Sequence, residues 1–148
     1  MTDTVDHEIA IERDVARGED HTRRGRLAFT GGIATVVAMV ATSLVTILAK
    51  AGGVDFELPD GGEAMPWSGV AVTTGVFSVV GILIAAGFRR WSARPAARFL
   101  TTTVTLTAIS LLPPFLVEAN AATVAALVVI HVVAAAVVIP ALTRELRR

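Results

Sequence analysis

Apolar and charged positions along this chain fall into blocks. Four stretches, 27–49, 68–88, 99–117 and 121–142, each run for 19 to 23 residues without a Lys, Arg, Asp or Glu. A helix needs about 20 such residues to cross a hydrocarbon layer of roughly 30 Å. The pattern predicts an all-α protein, a four-helix transmembrane bundle with spans near those bounds. Residues 1–22 form a polar cytoplasmic tail, read as disordered or as a loose helix on the membrane surface, and 23–148 form one four-span membrane domain.

The segments between the runs sharpen this outline. Residues 50–67 hold Gly52, Gly53, Pro59, Gly61, Gly62 and Pro66 and carry Asp55, Glu57, Asp60 and Glu63, which predicts an acidic external loop. Trp67 and Trp91 stand where interfacial aromatic anchors belong. The segment 89–98 is short, which makes runs two and three antiparallel neighbours. Runs three and four are joined only by Glu118, Ala119 and Asn120, a tight external hairpin. Just before it, Pro113 and Pro114 are expected to bend or end the last turn of run three.

Composition agrees with a lipid solvent. Charged residues make up 18% of the 148, below the roughly 25% of a soluble domain, and the mean hydropathy is +0.66. The formal net charge is zero, but its distribution is uneven. Arg23, Arg24 and Arg26 precede run one, Arg89, Arg90, Arg94 and Arg98 fill the second connection, and Arg144, Arg147 and Arg148 follow run four. Short basic connections stay on the cytoplasmic side. The three clusters share one side only if the chain crosses an even number of times. Both termini are therefore expected in the cytoplasm of a cell that carries the protein in its plasma membrane. Residues 1–22 contain seven acids and lack a signal peptide's apolar core, so run one is expected to remain as an uncleaved span. The absence of cysteine excludes disulfides and thiolate-ligated metals.

Chemistry inside the spans is sparse. His131 lies about ten residues into run four, roughly 15 Å deep. Ionisable groups at that depth are costly and usually face the bundle interior. Folding runs three and four about Ala119 brings residue 131 level with about residue 108, so Thr107 or Ser110 are its expected hydrogen-bond partners. Thr103, Thr107 and Ser110 are spaced four and three and share one helix face. Glu118, at the outer end of run three, could close the mouth of a cavity. These five residues form the candidate intramembrane polar site. Its plain reading is packing: a histidine bonded across helices and an interfacial acid that solvates a loop. No catalytic residue, metal site or cofactor is implied, because no GxSxG, HExxH or Walker-type pattern occurs. Small residues recur through all four runs, and close packing of such residues is what joins helices in lipid.

Ser110-Leu-Leu-Pro113-Pro114, followed by Ala126-Leu-Val-Val-Ile-His131 and Ile139-Pro140, resembles a family of uncharacterised four-span integral membrane proteins of actinobacteria, defined by a domain of unknown function. Ala51-Gly-Gly-Val-Asp55 is similar to a stretch such proteins carry after the first span. The resemblance covers about residues 27–142 and implies a four-helix membrane fold without an activity.

The function expected from these features is a non-enzymatic structural or partner-binding role in the membrane. The alternatives are a small carrier or channel whose path is lined by His131 and the hydroxyl face of span three, and a membrane enzyme or lipid-binding protein using Glu118 and His131. The expected partners are the lipid bilayer and another membrane protein or further copies of the chain; nucleic acid is not among them.

Overall fold

The computed structural model describes residues 2–54, 56, 66–116 and 120–148. The described residues are helical, with no strand among them. Five helices follow in order: α1 Thr2–Ala51, α2 Trp67–Trp91, α3 Pro95–Ser110, α4 Pro113–Leu116 and α5 Ala121–Arg147.

Helix ends follow local chemistry. At the end of α1, Gly53 adopts φ +88°, and the Val54 N–H donates to the Ala49 carbonyl at 3.0 Å. This is the left-handed closure that glycine permits at little steric cost. Pro95 occupies the first turn of α3, where its missing N–H would have had no helical partner. Asn120 caps α5, its side-chain oxygen accepting from the Ala122 N–H at 2.8 Å. Pro140 lies inside α5, one turn before its basic end.

Three of these helices, His21–Ala51 within α1, then α2 and α5, are long and apolar enough to cross a membrane. The run 99–117, whose last turn the prolines are expected to bend or end, is not a single helix. Its helix begins earlier, at Pro95, and stops at Ser110. At 16 residues it is about 24 Å long, short of the hydrocarbon thickness. Prolines at 113 and 114 are the physical cause. A residue preceding proline is pushed out of the α region, so the helix breaks before Pro113 and a single turn, α4, starts on the far side. At the other end of the chain, the polar residues 2–26 prolong α1 as helix, with the side chains at 21–26 exposed.

Helices α1 and α2 run antiparallel. Gly31 meets Ile82, Met39 meets Gly75, and the Thr42 and Thr74 hydroxyls lie 3.2 Å apart. Helix α5 is antiparallel to α1 and parallel to α2. Leu27, Ala85, Leu142 and Leu146 gather with Phe99 at one end, and Phe56, Val70, Ala126 and Ile130 at the other. Helix α3 packs against α5 and α2. Between the two apolar clusters the centre is made of small and hydroxyl side chains: Ala34, Ala38, Thr42, Thr46, Thr74 and Ser78 are all buried. Large aliphatic and aromatic residues face outward instead; Phe77 is 70% exposed and Leu48 69%.

Candidate functional site

His131 is half-buried on α5, and its Nδ1 lies 2.9 Å from the Leu127 carbonyl one turn back on the same helix. A carbonyl only accepts, so this is a hydrogen bond when Nδ1 carries the proton. Thr103, Thr107 and Ser110 of α3 are also half-buried, whereas 104–106, 108 and 109 are exposed. Their shared face is thus the one turned toward the bundle. The Thr103 hydroxyl donates to the Phe99 carbonyl at 2.8 Å, and Ser110 donates to the Thr107 carbonyl at 2.8 Å. Such back-bonding to the preceding turn satisfies a hydroxyl within its own helix. Among the described residues no hydrogen bond joins His131 to Thr107 or Ser110. Glu118 lies outside the described residues. The structure therefore brings the α3 hydroxyls onto one face but engages both Thr103 and Ser110, like His131, with the backbone of its own helix.

The interhelical hydroxyl contact occurs elsewhere. Thr42 of α1 and Thr74 of α2 are both buried and lie within hydrogen-bond distance of each other, and Thr42 also donates to the Ala38 carbonyl at 2.8 Å. The sequence signal for this seam is a small residue every three or four positions on α1, at Gly31, Ala34, Ala38, Thr42 and Thr46, matched on α2 by Val70, Thr74 and Ser78. That spacing selects one helix face. The Thr143 hydroxyl of α5 is buried with no partner among the described residues.

A concavity lies at the arginine-rich end, where α1 enters the apolar region and α2 and α5 leave it. It encloses about 800 Å³, within the range of about 300–1,000 Å³ common for ligand sites. Arg23 and Arg24 line it from α1, Arg89 and Arg90 from α2, and Arg148 from the end of the chain. The three basic clusters thus meet at one cleft, between helices far apart in sequence. Its acidic lining residue is Glu145, which pairs with Arg148 at 3.0 Å. Arg89 donates from Nη1 to the Arg23 carbonyl at 2.7 Å and so ties α1 to α2 at the rim. Leu27, Ile82, Ala86 and Leu146 form the apolar walls. The exposed Trp91 ring stands beside the cleft with the Arg90 guanidinium 6.0 Å from its centre.

Among the described residues no group of His, Asp and Glu is placed to hold a metal ion. Comparison with curated proteins and with solved structures finds no match. Residues 22–148 match the model of one family, described as "Family of unknown function (DUF6069)". The matched region starts just before Arg23 and takes in the rest of α1 and all of α2 to α5, so the chain belongs to the DUF6069 family.

Proposed function

We propose that this protein is a non-enzymatic integral membrane protein that crosses the plasma membrane four times, with its arginine-rich end in the cytoplasm, and serves a structural or partner-binding role. The observation that carries this reading is the inverted burial of the bundle. In water, a helical bundle hides its large apolar side chains and exposes polar ones. Here the buried middle is alanine, threonine and serine, and Phe29, Val36, Leu44, Val76, Phe77 and Leu83 face out. Only 17% of the most apolar stretch of α2, and 17% of that of α5, is buried. Leaving that surface in water would cost about 25 cal/mol per Å², whereas lipid accepts it, and small side chains then supply the close helix contact.

The path of the chain supports four crossings. Pro95 lies at the arginine-rich cleft, and α5 begins at the opposite end, near the Phe56 cluster. A chain that leaves the cleft at Pro95 and resumes at the opposite end in α5 favours a further crossing, although α3 alone is short. Four traverses return the terminus to the end from which α1 set out, and basic connections favour the cytoplasm. His131, Thr103 and Ser110 each find a hydrogen-bond partner in the backbone of the helix that carries them.

Two measurements test this. Alkaline carbonate should leave the protein in the membrane pellet. Accessibility labelling of tags at Met1 and Arg148 in sealed cells should find both protected until the membrane is opened. Extraction into the carbonate supernatant would overturn the membrane reading, and termini on opposite faces would overturn the four crossings.

A further inference from the structure

The arginines at the basic end do more than bias topology: we propose that the cleft between α1, α2 and α5 is a binding site for an anionic phospholipid of the cytoplasmic leaflet. The proposal rests on the membrane reading above and names a ligand for a site within it. Its headgroup phosphate would sit among Arg23, Arg24, Arg89, Arg90 and Arg148, and its acyl chains would run along Leu27, Ile82 and Leu83.

Three features point to this ligand. The first is charge. Five arginines from three separate parts of the chain line the cleft, against one acidic side chain among the lining residues, Glu145, which pairs with Arg148. Like charges gathered in this way are stabilised by a bound anion. A guanidinium matches phosphate oxygens with two parallel N–H donors. Because it carries five donors, the Arg89 bond to the Arg23 carbonyl braces the cleft while leaving capacity for a ligand.

The second feature is the composition of the walls. Below the arginines the lining is aliphatic, and Leu83, itself part of that lining, is 65% exposed on the outer surface of α2. The cleft is thus charged at its rim and continuous with the lipid-facing side of the helix. A free phosphate would satisfy only the rim; a phospholipid matches both parts. The third feature is depth. The cleft lies where the apolar helices give way to charged sequence and is flanked by an exposed Trp91, at the level where headgroups lie and where basic pockets between helices recognise them.

The test uses the full chain purified in dodecylmaltoside. Native mass spectrometry would measure binding of phosphatidylglycerol and of phosphatidylcholine with identical chains. The R90Q/R148Q protein is compared with R98Q/R144Q, which removes the same charge from exposed residues at the same end but outside the cleft. Phosphatidylglycerol should bind roughly tenfold or more tightly than phosphatidylcholine to the wild type and to R98Q/R144Q. In R90Q/R148Q that preference should fall by roughly tenfold or more. The R23Q protein repeats the test from α1 if the pair does not fold, judged by helical circular dichroism. Equal losses in both double variants would show a diffuse surface charge effect and overturn the site. Equal binding of both lipids would do the same. Glycerol phosphate or inorganic phosphate binding as tightly as the lipid would overturn the phospholipid assignment in favour of a soluble anion. A protein that stays in carbonate-washed membranes but shows no lipid preference overturns this inference alone and leaves the membrane reading standing.

Discussion

Replacing Gly31 by alanine tests the central packing claim most directly. An alanine Cβ at this position would lie 2.7 Å from Ile82 Cγ1, 2.8 Å from Ile82 Cδ1 and 3.3 Å from Leu142 Cδ2. Carbon atoms prefer about 3.5–4.0 Å, so roughly 1 Å of separation has to be found. Ile82 cannot supply it by a small rotation. Its Cγ1 is bonded directly to Cβ, and a β-branched side chain in a helix has essentially one favoured χ1 rotamer. The strain therefore passes to the α1–α2 and α1–α5 contacts, the most extensive in the bundle, at about 1–3 kcal/mol for this kind of overpacking. Alanine also gains up to about 1 kcal/mol of helix propensity over glycine, which would mask part of the loss. Gly32 provides the control: a Cβ there meets nothing within 4 Å, and it carries the same propensity gain. We expect G31A to be less stable than G32A by about 1–3 kcal/mol. The assay is reversible SDS titration of the protein in dodecylmaltoside micelles, followed by fluorescence of Trp67 and Trp91. In a double-mutant cycle, I82A removes both clashing atoms and should recover at least half of the G31A loss. A G31A stability equal to that of G32A, or no coupling to Ile82, would refute the close packing of Gly31 on α1 against Ile82 on α2.

Other expectations follow from the same contacts. T42V keeps the shape of the side chain but removes the hydroxyl, and should cost about 0.6 kcal/mol and at most about 1.7 in the same titration; T42V/T74V should cost little more than either single change, because the two hydroxyls share one contact. H131Q should change stability by less than about 1 kcal/mol, since the His131 bond stays within its own helix; a loss of expression or folding would point to an interhelical role. P113A/P114A should join α3 to α4 as one helix, seen as slower amide exchange at Phe115 and Leu116, which otherwise sit in a single isolated turn. Unchanged exchange there would mean that the prolines do not cause the break.

Some of this architecture could be read before folding was considered. Helices α1, α2 and α5 follow from uninterrupted apolar length, a property of single segments. The break near Pro113 was also visible in the chain, where the prolines are expected to bend or end the last turn of run three, but the place at which the helix stops was not. Whether two prolines end a span or merely bend it depends on whether the bundle supplies partners for the freed backbone groups, and here α3 stops at Ser110. Phe56 was invisible. It sits in what reads as an acidic loop, yet it is 2% exposed, holds φ +50° and closes the cluster around Val70 and Ile130. A left-handed, non-glycine residue of this kind is sterically unfavourable, and only tertiary packing explains its position. His131 drew attention by its depth, whereas the hydroxyls that pair across helices, Thr42 and Thr74, were marked by spacing along a face.

The linear order of residues determined that this protein is helical, that three of its helices are long and apolar enough to cross a membrane, and that most of its arginines are gathered into three clusters, because hydropathy and charge act on each segment independently of its neighbours. Which faces meet, and what the arginines surround, was decided only by assembly. Lipid offers no hydrophobic reason for one apolar face to be buried over another. The choice falls to the fit of Gly31, Ala38 and Thr42 against their partners, and that fit is what draws Arg23, Arg89 and Arg148 to the rim of a single cleft.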